Sequence, residues 1–584
     1  MEEQVISFFS PLFTPFHSFS FSFFCLLLHS FPCLSFAFHS FFNTPLNVHT
    51  VMTLQVVRPV DNLERYNVTR SNVNIYNNVS VGVSIHSPVT TLSSYQSQDY
   101  WAKLLLNPII SLLDRHPILA TVVGDHLTGH PVFLRLRSID LLSLIRVVSS
   151  PIDVDRSGSY DAVMSRVLED EHNKPFDLAD QSTPLWRLVI VPTGQDAFHL
   201  IYTFHHVIGD GRSAMTLSEQ IVEQLNIHHT SASSSSSSSS SSTFNIPILS
   251  DKPIPASIES RVNCYPSIGF LLWEATRSIF LPGFLKKALE TKYWAGEIDS
   301  SLEAPNQTEV GLLRLTQDET RAVVQLAKAR ATTVQAIMYT ASIFAARAIF
   351  ILGNRSHASE GRRMEGKASD NIDGEEALVF ATPCSLRNLI SDPIGADEQG
   401  NYVSEILHNN IRVQDGSGFW FMTDQYRKEV VAGTTTTRGV RHLLEHFGAL
   451  ALLSKKDGAW ESFMTSRVTK DQHGRKASIK LSNLGRGWDT PSTAAIAGAN
   501  GGAMYTIQDG FFSQSSGVTA SALTMSAATA NGRLSISTTW QTAGFHGRER
   551  GEAFVAEFKR ILLLVALQHA DTPELSYLEI CPQQ

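Results

Sequence analysis

Two adjacent histidines with an aspartate four residues beyond the second carry the strongest chemical signal in this sequence. The run is His205-His206-Val207-Ile208-Gly209-Asp210-Gly211. A neutral imidazole can take a proton from a hydroxyl or amine at cellular pH. Asp210 can hold the turn that carries such a base. A carboxylate there should be buried and would need a cationic partner. Gly211 permits close backbone approach where substrates meet. This set suits direct acyl transfer: an acceptor attacks a thioester carbonyl while the base removes its proton. No Ser or Cys nucleophile is required. His-x-x-x-Asp alone arises by chance about once in a chain this rich in His. The preceding His and the following Gly make the whole run far rarer. The competing reading is a satisfied surface His beside a helix-capping Asp.

Other candidates are weaker. His442-Leu443-Leu444-Glu445-His446 has the H-x-x-E-H pattern of a zinc site, and on a helix His442 and His446 share a face. Such a site also needs a further acidic ligand and a supporting shell, so a polar helix face is the preferred reading and no metal is expected. Cys384 has no evident His partner in sequence and reads as a buried core thiol. Neither G-x-S-x-G nor a phosphate-binding Gly-rich loop is present.

The elements around the motif can be traced. Phe198 to Phe204 is a short apolar run of strand formers that ends at the His pair. Gly211 to Leu225 reads as a helix, so the motif sits on a tight turn at the end of a sheet. Strand alternation sends successive side chains to opposite sides, so only one of the two adjacent His can face the reaction. Asp99 to Arg115 reads as a helix stopped by His116-Pro117. Thr332 to Phe350 is a long apolar helix. Leu378 to Thr382, Ser478 to Leu481 and Arg533 to Thr539 read as strands. Glu552 to Gln568 closes the chain as an apolar-faced helix, which could equally serve as a membrane anchor or face a core. Strands and helices mix without a βαβ rhythm, which predicts a mixed α/β sandwich.

The 584 residues call for two large domains. Net charge is -8 and the isoelectric point about 6.2, so bulk electrostatics give no attraction to nucleic acid, and no nucleic-acid partner is expected. Five scattered cysteines without a C-x-x-C pair fit a reducing compartment. The sequons at Asn67 and Asn78 read as chance matches. Residues 1–51 stand apart, with 13 of the 33 Phe and no Lys or Arg. A signal peptide, a membrane helix through Phe19 to Phe38 and a translated leader all compete for this segment. The preferred reading is a non-globular leader, with Met52 as the start of the native chain. Ser233 to Ser242 reads as a flexible, dispensable insertion and Asn354 to Glu376 as a long loop. The expected division is 52–245 for the domain carrying the motif and 246–584 for the second.

A wider set of segments resembles the fungal alcohol acetyltransferase family. Leu63-Glu64-Arg65-Tyr66, Arg70-Ser71-Asn72 and Tyr76-Asn77-Asn78-Val79 resemble its opening. His116-Pro117-Ile118-Leu119, Pro175-Phe176, Pro184-Leu185-Trp186-Arg187-Leu188 and Lys292-Tyr293-Trp294-Ala295-Gly296 follow in order. Ser385-Leu386-Arg387, Gly400-Asn401-Tyr402, Ser482-Asn483-Leu484-Gly485 and Phe512-Ser513-Gln514-Ser515 complete the set. The family is similar to chloramphenicol acetyltransferases and to peptide-synthetase condensation domains. The resemblance implies two similar mixed α/β sandwich domains with an active-site channel between them. It implies that His206 is the base, that Asp210 pairs with Arg387, and that His205 is structural. Ser482 and Asn483 lie near the channel in related folds, and Ser482 is a candidate for stabilising the oxyanion. It implies transfer of an acetyl or other short acyl group from acyl-CoA, foremost acetyl-CoA, to a small alcohol. An amine acceptor and a non-catalytic binding protein of the same fold are the alternatives. No residues are assigned to CoA. A monomer in the cytoplasm is expected, with contact to endoplasmic reticulum or lipid droplets as the membrane-associated variant.

Overall fold

A computed structural model of the chain describes residues 54–88, 97–148, 160–193, 196–232, 243–272, 293–296, 306–352, 376–470, 475–488, 504–545, 547–568 and 572–582. The leader, the serine run and nearly all of the 354–376 segment lie outside the described residues.

Two large mixed sheets carry the fold. The first has five strands in the order Thr506–Gln514, Val79–His86, Ala197–Phe204, Trp186–Pro192 and Ile145–Val147. All its pairings are antiparallel except the last. The second has six strands in the order Thr308–Arg314, Arg533–Gln541, Ser521–Ala530, Ala477–Gly487, Leu378–Ser385 and Val403–Ile411. Ala477–Gly487 runs parallel to both of its neighbours. Each sheet has its own apolar core. A smaller cluster, with Ile201, Val310, Leu312 and Phe511, ties the sheets together.

The helices follow from their apolar faces. Gln98–Arg115 starts where the Ser97 hydroxyl accepts the Tyr100 N–H, and it buries Trp101, Leu105, Ile109 and Leu112 against the first sheet. Val334–Ala346 is buried on all sides from Ala336 onward and is the core helix of the second half. With its continuation to Leu352 it is long and apolar enough to span a membrane, but most of it is enclosed by protein. The last long helix, Arg548–Ala566, buries Phe554, Phe558, Ile561, Leu562 and Val565 in the same core. Its apolar face therefore serves packing in this fold.

The chain's two halves are interleaved. Thr506–Gln514 comes from the second half yet forms the edge of the first sheet, paired with Val79–His86. After a short connection the chain enters Ser521–Ala530 of the second sheet. The two sheets are also joined by hydrogen bonds, from Gln514 Nε2 to Ser526 Oγ (3.1 Å) and from Ser537 Oγ to the Phe512 carbonyl (2.8 Å). A division of the chain at residue 245 does not contain this exchanged strand.

Candidate active site

The strand Ala197–Phe204 is the middle strand of the first sheet and is buried on both faces. It delivers the chain into a turn closed by Ile208 N–H to the His205 carbonyl (3.1 Å). Both His lie beyond the last strand residue, inside this turn. Strand alternation therefore does not separate them. Turn geometry and different partners do.

His205 is committed at both ring nitrogens. Its Nδ1 accepts the Val207 N–H (3.1 Å), which leaves the proton of the neutral ring on Nε2. Nε2 faces Ser71 Oγ at 2.7 Å, and Ser71 donates onward to the Tyr76 carbonyl (3.3 Å). Burial, then the neighbouring His206 and Arg70, push the His205 pKa down to about 3.

His206 is free where His205 is not. Among the described residues no other residue hydrogen-bonds its ring. Its Nδ1 is buried without such a partner, and the ring as a whole keeps some exposure. Nε2 is the nitrogen left to meet a substrate. The Tyr76 ring lies 6.1 Å from the His206 ring, and Asn401 Nδ2 reaches the His206 carbonyl at 3.4 Å. Burial pushes the His206 pKa down to about 4, and Arg70 and Lys480 add to that shift. The ring's own backbone and Asp210 oppose it. A base so depressed is neutral throughout the physiological range.

Asp210 points away from the base and into the fold. Its Oδ1 accepts the Ser213 N–H (2.8 Å) and so caps the helix Gly211–Ala232. Arg387 Nη2 donates to both carboxylate oxygens, at 3.2 and 3.3 Å, and both side chains are almost fully buried. Tyr402 N–H donates to Oδ2 (3.1 Å). Arg387 is held in turn by the carbonyls of Gly395 and Glu398 (both 2.9 Å) and by Ser213 Oγ (2.9 Å). The expected ion pair is present, and it binds the motif to the 387–402 segment. Gly211 is required by side-chain packing: a Cβ there would come within 2.7 Å of Leu484 and 3.2 Å of Phe512.

Ser482 is half-buried on the strand Ala477–Gly487, with Lys480 on the same face. Asn483 has a local task. Its Oδ1 accepts the Gly485 N–H (2.9 Å), where the strand's register shifts and Gly485 adopts a φ of +76°. Four residues near the motif had no role assigned from sequence: Ser71, which fixes His205, Ser213 and Tyr402, which hold Asp210, and Arg70. Ser71, Arg70 and Tyr402 fell in segments noted only for resemblance.

The decoys fall into the packing. Glu445 accepts from Arg441 Nε and from the Ser267 N–H. Among the described residues no group of three His, Cys, Asp or Glu could hold a metal ion. Cys384 is buried, and burial pushes its thiol up to about 12, the opposite of what a nucleophile needs. Asn67 and Asn78 are buried, with side-chain amides bonded to main-chain carbonyls. Neither is open to glycosylation in this fold.

The sequence matches the alcohol acetyltransferase family over residues 153–562. The chain belongs to that family. A probable alcohol acetyltransferase of Aspergillus fumigatus is 27% identical over 171 residues, 29% of this chain and 36% of that protein. This chain therefore spans little more than a third of that relative in the match. Among solved structures, a trichothecene 15-O-acetyltransferase of Fusarium sporotrichioides superposes with a TM-score of 0.55 at 11% identity. It covers 88% of this chain and 95% of its own. The condensation domain of the monacolin K polyketide synthase MokA gives 0.51 at 10% identity, covering 89% and 99%. These likenesses establish the fold that this alcohol acetyltransferase family member adopts: the two-lobed acetyltransferase and condensation-domain architecture.

Proposed function

We propose that this protein transfers an acetyl or other short acyl group from acyl-CoA to an alcohol, with His206 as general base. The observation that carries the reading is the contrast within the His pair. His205 has both ring nitrogens engaged, whereas Nε2 of His206 is open and its ring is neutral. In the reaction the acceptor oxygen attacks the thioester carbonyl while Nε2 takes its proton. The tetrahedral intermediate then collapses, the carbon–sulfur bond breaks, and the proton passes from His206 to the CoA sulfur. Asp210 and Arg387 position the turn and touch no reacting atom. Ser482 is proposed to stabilise the developing oxyanion. Family membership supports acyl transfer. A cytoplasmic monomer is proposed as the working form. The deciding experiment incubates purified protein with acetyl-CoA and a panel of alcohols and amines, measuring thiol release and ester or amide product. Ester formation that depends on enzyme supports the reading. Amide as the sole product would replace the alcohol by an amine. Absence of thioester cleavage with every acceptor would favour a binding protein of the same fold.

A further inference from the structure

We infer that the site beside His206 takes a substrate bearing a carboxylate close to its reacting group, bound by Arg70 and Lys480. The inference rests on the acyl-transfer reading and adds the chemical class of substrate.

Arg70 sits in the last turn of the helix Asn62–Asn72 and is 8% exposed. Its guanidinium lies over two rings, Tyr66 at 4.8 Å and Tyr76 at 4.0 Å. Nη2 bonds the Asn67 side-chain oxygen, and Nε is buried with no partner. Among the described residues no carboxylate pairs with it. Other arginines held away from water have either an acid or main-chain carbonyls. Arg387 has Asp210, Arg187 has Glu171, Arg314 has Asp161 and Asp509, and Arg347 has Asp415. Arg65, Arg135 and Arg475 donate to main-chain carbonyls, of Gly129 and Thr128, of Ser250 and Lys252, and of Ala295, whereas the Arg70 side chain has the Asn67 oxygen instead. Lys480 repeats the pattern from the other sheet. It is half-buried, and among the described residues nothing forms a hydrogen bond or ion pair with its ammonium. The acid that acts on it most, Glu405, is bound to Lys476. A cation held away from water without a counter-charge is costly, and a bound anion removes that cost.

Position says which anion. The Tyr76 ring that carries the Arg70 guanidinium is the ring 6.1 Å from His206. The phosphates of CoA hang at the far end of the extended pantetheine arm. With the thioester at His206 they lie well beyond Arg70 and Lys480. The anion therefore belongs to a short group near the reacting atoms. It can sit on the acceptor, as in a hydroxy acid, or on the acyl group, as in a dicarboxylic monothioester. Both cations also depress the His206 pKa, so an anion that neutralises them makes the base stronger while substrate is bound.

The test compares matched pairs within one enzyme preparation, so that any loss of folded protein cancels. One arm sets a hydroxy acid against its methyl ester with acetyl-CoA. The other sets malonyl-CoA against acetyl-CoA with a neutral alcohol. On one arm the wild type should favour the carboxylate at least about tenfold in kcat/KM, the scale of one charge-assisted pair. Arg70→Gln should bring that ratio toward one, while Arg70→Lys should keep part of it. If Arg70→Gln does not fold, Lys480→Met and Arg70→Lys supply the comparison. Calorimetric titration of the same ligands into wild type and Arg70→Gln reads the preference without turnover, so failure of the acyl-transfer reading leaves this test intact. Equal preference for charged and neutral members on both arms, in rate and in binding, overturns the inference. So does a preference that survives Arg70→Gln.

Discussion

At the scale of residues, two adjacent imidazoles in one turn have been given different tasks by their partners. The difference has a pH signature. A base with an ordinary imidazole pKa would lose activity below about 6.5. His206 is pushed down to about 4, so its neutral form persists into mild acid. The acid limb of kcat/KM should therefore fall near pH 4. Arg70→Gln removes a cause of the depression and should move that limb upward, toward neutrality. A wild-type limb at 6.5, or one unmoved by Arg70→Gln, would contradict the assignment. The motif itself was legible because His, Asp and Gly at fixed spacing are local in sequence. Arg70 and Lys480 were not. A buried cation without a counter-charge is defined by what surrounds it, and its neighbours come from residues 66–76 and from the 477–487 strand.

Elements come together at Asp210, which ends one turn, starts one helix and binds a segment from the other half of the chain. Losing one partner of such a pair typically costs about 3–5 kcal/mol, because the other charge is left buried alone. Arg387→Ala should lower the unfolding free energy measured in urea by an amount in that range and reduce turnover with it. Unchanged stability would show that the pair is not a positioning device. Ser71→Ala should act more mildly. It leaves the His205 Nε2 proton unpaired, at a cost of about 1–3 kcal/mol, with a smaller effect on the rate than loss of His206. Urea unfolding together with turnover checks this, and a rate loss as large as that of His206→Ala would put His205 back in the chemistry. The strands leading to the motif and the long apolar helices were legible from composition. Their ends were less so: the helix read as Gly211 to Leu225 continues to Ala232, and the strand read as Ser478 to Leu481 extends over Ala477–Gly487. Ser521–Ala530 was missed because its small residues lack the β-branched and aromatic signature. Thr506–Gln514 was missed because Asp509 and Gly510 interrupt its apolar pattern.

For the whole molecule the same burial that tunes the site sets an acid limit on the fold. His172, His199 and His205 are pushed down to about 3, each chiefly by burial, and His206 to about 4. Unfolded, each would bind a proton below about 6.5, whereas folded each stays neutral until pH 3–4. The unfolded state thus binds more protons across that window. Stability contributed by these four rings is fully present above 6.5 and falls as pH drops, by up to about 1.4 kcal/mol per pH unit for each ring. Denaturant midpoints measured from pH 7 to 4 should decline steadily, and a rise would contradict the burial of these rings. The exchanged strand adds a topological consequence that no sequence pattern announced. Thr506–Gln514, from the second half of the chain, completes the first sheet by pairing with Val79–His86.

The central claim is that His206, and not its neighbour, removes the acceptor's proton. Single-turnover release of CoA from acetyl-CoA, in the presence of a working acceptor, tests it most directly when wild type, His206→Ala and His205→Ala are compared at equal concentrations of folded protein. His206→Ala should lower the rate by about 10²–10⁴, the usual effect of losing a general base, with acetyl-CoA binding retained. His205→Ala should unfold more readily and keep a far larger share of the rate. Near-normal turnover in His206→Ala would contradict the mechanism.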